Sequence, residues 1–239
     1  MVISIKKAIL VIFVIFFAIV SIAVTVRNEI VKTSATPPLS GRKIVIDAGH
    51  GGLDGGAVSK SGITEKEINL KIAFYLKNYL EKNGAKVIMT RSSDKSLHTD
   101  DKDSVKNKKR SDLLARRNIA NNSGADALVS IHLNFFEQSK YKGAQVFYEG
   151  AHQESIDLAQ KIQSEFKNGL DSNNNRQIAK INDSKIMYRD LNLPAVIAEC
   201  GFLSNPEEAE KLTQKEYQEK AALCISLGII KYFSQNKNA

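Results

Sequence analysis

Cysteine is scarce in this chain, which has Cys200 and Cys224 alone among its 239 residues. Two cysteines are too few for the disulfide frameworks that hold small secreted domains together. Because free cysteine is usually buried, we interpret both as buried apolar residues, and a single disulfide between them is the alternative in an oxidising compartment. The fold must then depend on a hydrophobic core, which a composition of 43% hydrophobic and 25% charged residues can form.

Nucleic-acid motifs, internal repeats and the His-Glu-x-x-His metal signature are also absent from the sequence. The formal net charge is +8, and four basic residues and one acidic residue within residues 1–39 contribute three of those charges. A modest positive charge suits an acidic extracellular polymer such as cell wall at least as well as nucleic acid. We therefore exclude nucleic acid as a partner.

A long hydrophobic run lies near the start of the chain. Lys6 and Lys7 precede an uncharged stretch from Ala8 to Val26. This pattern is typical of an export helix, so residues 1–26 are either a cleaved signal peptide or an uncleaved membrane anchor. Residues 27–40 are interpreted as a polar linker. One folded domain, residues 41–235, then lies outside the cytoplasm.

Strand and helix patterns alternate through that domain, which predicts an α/β fold with a mostly parallel sheet and helices on both faces. The stretch from Arg91 to Arg110 is expected to be a mobile loop, followed by a helix that Ser111 caps. The expected strands are Lys43–Asp47, Lys86–Thr90, Ala127–Leu133, Gly143–Tyr148 and Ala195–Ala198, and the expected helices are 64–83, 112–122, 153–170, 206–212 and 215–233.

Three side chains far apart in the sequence form a candidate zinc site. His50 follows the first strand, His132 ends the third, and Glu65 begins the first helix of the domain. Two histidines and one carboxylate are the ligand set of a catalytic zinc that keeps a position open for water. Glu199 follows the last strand, and ligands of parallel sheets gather at the carboxyl ends of strands. Spacing alone cannot bring these residues together.

Other residues near these segments have supporting interpretations. Asp47 either accepts a hydrogen bond from the free ring nitrogen of His50 or orients the turn between them. Thr64 and Glu67 form a capping box at the helix start. The glycines after the first strand allow sharp turns and the close approach of a bulky ligand. His98 and His152, in polar and turn-like surroundings, are expected to be solvated.

The motifs together resemble a known family, the zinc-dependent N-acetylmuramoyl-L-alanine amidases of type 3. The resemblance implies a six-stranded sheet, one Zn²⁺ ion held by His50, Glu65 and His132, and Glu199 as the catalytic acid and base. It also implies hydrolysis of the amide between N-acetylmuramic acid and L-alanine in peptidoglycan. The segments that carry it, in chain order, are Ile46–Gly52, Glu65–Leu70, Thr90–Arg91, Arg110–Ala120, Ala125–Asn134 and Pro194–Asn205.

An export segment followed by a bare catalytic domain is similar to the germination-specific, spore-cortex members of that family. Such a role implies that the protein acts together with a muramic acid deacetylase in the formation of muramic δ-lactam. It also implies an exported accessory protein as a candidate partner. The expected location is between the forespore membranes or in the cortex. A general vegetative autolysin is the alternative within the family.

Two hypotheses of other classes remain open at this point. One makes Cys200 a nucleophile with His132 as its base, although no helix start follows Cys200 to lower the thiol pKa. The other is a peptidoglycan-binding protein without turnover, which the intact set of ligands and Glu199 disfavours.

Overall fold

The computed structural model of the chain describes residues 12–22, 36–99, 104–182 and 185–235. The chain separates into two units, residues 1–37 and 38–239. In the first unit residues 12–22 are helical, within the expected export helix, while the rest of residues 1–26 and residues 27–35 of the expected linker lie outside the described residues. No helix in the described ranges is long and apolar enough to cross a membrane.

A six-stranded sheet forms the centre of the second unit, as the α/β prediction requires. Its order is β2-β1-β3-β6-β4-β5, in which β1, β2, β3 and β6 run parallel and β4 is antiparallel to β6. The two-residue β5 pairs in parallel with β4 at the edge. The strands are β1 Lys43–Ala48, β2 Lys86–Met89, β3 Ala127–Asn134, β4 Gln145–Tyr148, β5 Ala179–Lys180 and β6 Ala195–Phe202.

Helices cover both faces of this sheet because side chains alternate along each buried strand. Ile44 and Ile46 of β1 point into the core beneath α1, α3 and α5, whereas Val45 points into a smaller core beneath α2 and a short 3-10 helix. The helices are α1 Glu65–Lys82, α2 Val105–Asn122, α3 Gln153–Gly169, α4 Pro206–Thr213 and α5 Lys215–Gln235, and the 3-10 helix spans Ile186–Tyr188.

The sequence prediction was wrong about the start of α2. This helix begins at Val105, and the Ser104 hydroxyl accepts a hydrogen bond from the Asn107 amide at 3.3 Å, so Ser111 lies within the helix rather than at its cap. The buried residues of α2 include Asp112 and Arg116. Residues 105–111 are polar apart from Val105 and none of them is buried, so the first turns lack the apolar periodicity from which the helix start could be predicted.

The structure also differs from the sequence predictions in three smaller features. The last strand continues past Ala198, so Glu199 lies within β6 rather than after it. The edge strand β5 was not predicted. Thr64 is the residue before the first turn of α1, but its side chain makes no capping hydrogen bond, and Glu67 is exposed, so the capping box does not form.

Both cysteines are buried and free, which confirms their interpretation as apolar core residues. Cys200 lies in β6 and Cys224 in α5. The expected hydrophobic core therefore holds the domain without a disulfide between them.

Close packing of α5 against α3 depends on Gly228. A Cβ atom at this position would lie 2.6 Å from the Ile162 Cα and 2.8 Å from the Ile162 nitrogen. Because these atoms belong to the backbone of α3, no side-chain rotation could relieve the overlap. The absence of a side chain at Gly228 thus sets the distance between the two helices.

We expect Gly228→Ala to lower the free energy of unfolding by about 1–3 kcal/mol, the usual cost of overpacking a core. The loss should occur although alanine favours helix by about 1 kcal/mol over glycine. Chemical unfolding followed by circular dichroism measures it. Gly55→Ala is the matched control, since a Cβ there meets nothing within 4 Å; equal stability of both variants would contradict this account of the packing.

Candidate metal and active site

The parallel strands bring the predicted site residues to one end of the sheet. His132 in β3 and Glu199 in β6 are direct neighbours in the strand register. His50 lies two residues after the end of β1, and Glu65 is the first residue of α1. All four side chains line one cavity of about 470 Å³.

His50, Glu65 and His132 converge on one point. The Glu65 carboxylate lies between the two imidazoles, with Oε2 3.2 Å from His50 Nε2 and Oε1 3.0 Å from His132 Nδ1. One ligand atom from each of the three lies within 4.8 Å of the other two. Two ring nitrogens and one carboxylate oxygen at this separation fit a zinc-like ion, and the open cavity beside them leaves room for a further ligand.

The Glu65 carboxylate is oriented by neutral donors as well as by the histidines. The amides of Ala57 and Leu133 donate to Oε2 and Oε1 at 2.9 and 3.0 Å, and Asn69 donates to Oε1 at 3.2 Å. Burial raises the pKa of Glu65, but the hydrogen bonds and charges of the two histidines outweigh burial and lower the pKa below its usual value. The carboxylate is therefore charged. The anionic ligand is thus fixed by the fold itself.

His50 is oriented by Asp54 rather than by Asp47. Its Nδ1 lies 2.9 Å from Asp54 Oδ2, and the other Asp54 oxygen pairs with Lys109 Nζ at 2.8 Å. Burial lowers the pKa of His50, but the hydrogen bonds to Asp54 and Glu65 outweigh it and raise the pKa to about 9. A metal ion would displace the Nε2 proton, while Asp54 would keep its hydrogen bond to Nδ1.

Asp47 contacts neither His50 nor the turn through its side chain, and it acts on the turn through Arg116. Its Oδ1 accepts from Thr90 and Arg116 at 2.6 and 2.7 Å, and its Oδ2 accepts from Ser130 at 2.5 Å. Burial raises the pKa of Asp47, but Arg116 and the two hydroxyls outweigh it and lower the pKa to about 2. The expected hydrogen bond from His50 to Asp47 is replaced by the one to Asp54.

Two buried arginines hold the backbone that carries His50. Arg116 donates to the carbonyls of Ala48 and His50 at 2.9 and 2.6 Å. Arg91 donates to the carbonyls of Ala48 and Gly49 at 2.8 and 3.0 Å. His50 has a φ of 62°, a left-handed conformation that residues other than glycine seldom adopt, and these bonds stabilise it.

Glycine is required where the turn meets the histidine rings. A Cβ at Gly49 would lie 2.3 to 2.7 Å from the His132 ring, and one at Gly56 would lie 2.6 Å from the Glu65 carboxylate. The groups that approach these two glycines are side chains of the candidate metal ligands, and the close approach of a bulky ligand to the turn stays a prediction.

Glu199 is the half-buried acid of the cavity. Burial raises the pKa of Glu199, His132 lowers it and the negative charge of Glu65 raises it. The net effect is a pKa of about 7. Its Oε2 is buried and has no hydrogen-bond partner among the described residues. We refer to His50, Glu65 and His132 as the trio. A carboxyl group beside the trio that has a pKa near neutral and one oxygen without a hydrogen-bond partner is suited to take up and release a proton.

The remaining candidates take no part in this cluster. Cys200 is fully buried, and burial raises the pKa of its thiol well above the usual value, which argues against a nucleophile. His152 is half-buried and bonded to Glu149 at 2.8 Å, and half-buried His98 contacts the Ser96 hydroxyl. The expectation that both histidines are solvated is therefore wrong.

Three functional side chains were missed by the sequence analysis. Asp54, Arg91 and Arg116 all contact the His50 turn, yet none was assigned a role. Asp54 offered a weak signal, since it lies four residues after His50 in a glycine-rich turn. Local spacing does not show the contacts of the two arginines with the turn, because these contacts join residues more than 40 positions apart in the chain.

A family model described as N-acetylmuramoyl-L-alanine amidase matches residues 44–231. A germination-specific N-acetylmuramoyl-L-alanine amidase of Bacillus subtilis is 41% identical over 198 residues, covering 83% of this chain and 82% of that protein.

Solved structures give the same result. The CwlD amidase from Clostridioides difficile, in complex with the GerS lipoprotein, is 45% identical with a TM-score of 0.79, and the match covers 82% of this chain and 100% of that one. An N-acetylmuramoyl-L-alanine amidase from Clostridium difficile 630 is 34% identical with a TM-score of 0.70, covering 80% and 96%.

The site geometry predicts a graded loss of metal. We expect the full chain to bind one Zn²⁺ ion, His132→Ala to abolish binding because a ligand is lost, and Asp54→Asn to weaken it by about 10- to 100-fold because the group that orients a ligand is altered. Calorimetric titration with Zn²⁺ measures all three. Asp190→Asn, at an exposed acid paired with Arg117, is the control; full affinity in His132→Ala would refute the ligand assignment.

Proposed function

Because the chain belongs to the N-acetylmuramoyl-L-alanine amidase family, we propose that it cleaves the amide joining N-acetylmuramic acid to the L-alanine of the stem peptide in peptidoglycan, with Zn²⁺ as its metal. The observation that carries this proposal is the convergence of His50, Glu65 and His132 within 4.8 Å beside the half-buried Glu199. A bound zinc ion would polarise the scissile carbonyl and make nearby water more acidic.

We assign the proton transfers to Glu199. Its carboxylate accepts a proton from the attacking water and then donates that proton to the leaving nitrogen of L-alanine. A pKa near 7 lets one group perform both steps at neutral pH, since neither protonation state is strongly favoured. The orphan Oε2 leaves a lone pair free for the water.

The two histidines and Glu65 have a separate task, which is to hold the ion. Hydrogen bonds at the far side of His50 and around Glu65 keep the donor atoms in place, so little rearrangement is needed for binding. A mutation in this set removes the metal, whereas a mutation of Glu199 removes the proton transfer alone.

We expect Glu199→Gln to lower hydrolysis by about 100-fold or more, the usual size of a general acid and base contribution, while Zn²⁺ affinity is kept. The assay is the appearance of new L-alanine amino groups in purified peptidoglycan, with the glycan strands intact. Glu154→Gln, at an exposed acid in the first turn of α3, is the control and should keep full activity.

Two results would contradict this assignment. Normal hydrolysis by Glu199→Gln would remove Glu199 from the mechanism. New reducing sugar ends in place of new amino ends would show that the wild-type protein is a glycosidase.

We further propose that the protein acts in the spore cortex, outside the cytoplasm. The similarity to the germination-specific amidase of Bacillus subtilis and the export-type segment at residues 1–26 support this role. In that setting the cleaved muramic acid is the substrate from which a deacetylase and ring closure make muramic δ-lactam. The complex of the Clostridioides difficile relative with a lipoprotein favours an exported accessory protein for this chain as well.

The cortex role predicts a specific chemical change in spores. Deletion of the gene should abolish muramic δ-lactam in the cortex and leave stem peptides on those muramic acids, because the amide is no longer cut. Mass analysis of enzymatically digested spore peptidoglycan measures both. Restoring the gene with Glu154→Gln should restore the lactam and Glu199→Gln should not; normal lactam in the deletion strain would assign the protein to vegetative wall instead.

A further inference from the structure

Three aromatic side chains stay exposed in the segment that follows β3. Phe135, Phe136 and Tyr141 retain 48%, 52% and 37% of their accessible surface. Large apolar groups that remain exposed beside a cavity commonly mark a binding surface. We refer to these three residues as the aromatic ridge.

The ridge is held firmly by its surroundings. The Phe136 ring lies 6.0 Å from the Phe202 ring and 5.3 Å from the Tyr141 ring. Its amide donates to the Ser204 hydroxyl at 3.0 Å, and Asn205 donates to the Ser139 carbonyl at 2.8 Å. A ligand that binds here meets an ordered surface, so little conformational entropy is lost.

Phe135 differs from the other two rings because it borders the metal cavity. It follows Asn134, the last residue of β3, and lines the cavity together with His132 and Glu199. Among the described residues, no ring pair includes Phe135, although Phe136 and Tyr141 are both paired. Its exposed ring is therefore not needed to hold the loop.

The cavity is also lined by positively charged side chains. Lys109 of α2 and Lys185, which precedes the 3-10 helix, line the same cavity and are exposed. Cationic side chains suit carboxylates, whereas an exposed aromatic ring suits an uncharged apolar face. Lys185 thus suits a carboxylate of the stem peptide and Phe135 suits the sugar, whereas Lys109 already pairs with Asp54 at 2.8 Å.

We propose that Phe135 is a sugar-binding residue, whose ring stacks on the amino sugar that carries the scissile lactyl group, with the glycan strand continuing over the aromatic ridge. This inference rests on the proposed function, since it takes the amide at the trio as the reacting bond. In such a substrate a few covalent bonds, roughly 4 Å, separate the carbonyl carbon from the pyranose ring. Two aromatic side chains line this cavity, Phe135 and Tyr188, and Tyr188 is buried whereas Phe135 is exposed. A sugar attached to a carbonyl held by His50, Glu65 and His132 therefore meets the ring of Phe135.

A fluorescence experiment tests this without hydrolysis. The chain contains no tryptophan, so Phe135→Trp places a single indole at the cavity edge. The probe is a peptide-free oligosaccharide of alternating N-acetylglucosamine and N-acetylmuramic acid. It should shift the Phe135→Trp emission in a saturable way. Phe74→Trp, at a 38% exposed phenylalanine of α1 that does not line the cavity, is the control and should not respond.

Three results would overturn the proposal. The oligosaccharide could leave the Phe135→Trp emission unchanged. The free stem peptide that begins with L-alanine could shift the emission as strongly, which would assign Phe135 to the peptide. The emission could instead change with protein concentration alone, which would assign the ridge to contact between two copies of the chain.

Kinetics with the natural polymer give a second measurement. Phe135→Ala should raise KM by about tenfold, the size of one aromatic stacking contact, and change kcat by less than about twofold. Phe135→Tyr should restore KM, and Phe74→Ala should match the wild type. An unchanged KM in Phe135→Ala would refute the proposal.

Failure of the proposed function would look different. Binding of the oligosaccharide to Phe135→Trp in a protein that releases no L-alanine amino groups would leave the sugar site intact and remove the amidase assignment. If the protein releases L-alanine amino groups but the oligosaccharide does not change the Phe135→Trp emission, the amidase assignment stands and the sugar site is refuted.

Discussion

The fixed turn after β1 is the constraint on which the site depends, and two buried guanidinium groups maintain it. Arg91 and Arg116 are each about 1% exposed. Charge at this depth is costly unless it is paired, and Asp47 and Asp112 pair with Arg116 at 2.7 and 2.6 Å. Both arginines also donate to backbone carbonyls of the turn, so hydrogen bonds from outside the turn stabilise the left-handed conformation of His50.

The four central side chains of the cavity differ in how firmly hydrogen bonds hold them. Glu65 is the most constrained of the four central side chains, since two backbone amides and Asn69 fix its oxygens. Glu199 is the least constrained, because one oxygen has no partner among the described residues. A ligand atom benefits from rigidity, whereas a group that transfers protons needs an open lone pair.

Much of the fold could be predicted from local patterns. The parallel strands are apolar runs, and β1, β3 and the start of β6 lie close to the predicted positions. The first turns of α2 could not be predicted in the same way, because residues 105–111 are polar apart from Val105 and none of them is buried. Hydrophobic periodicity reports the burial of apolar groups and gives no signal for helical turns that are exposed.

The sequence by itself determined the chemical types present at the site. It supplied two histidines, two carboxylates and the glycines that let the rings approach, placed where buried strands end or helices begin. The tertiary structure decided which of these groups meet and which partner each one takes. Asp54 rather than Asp47 supports His50 because of the conformation of the glycine-rich turn. Arg91 reaches back to β1 because β2 pairs with β1 in the sheet, and a contact of this kind leaves no trace in local spacing.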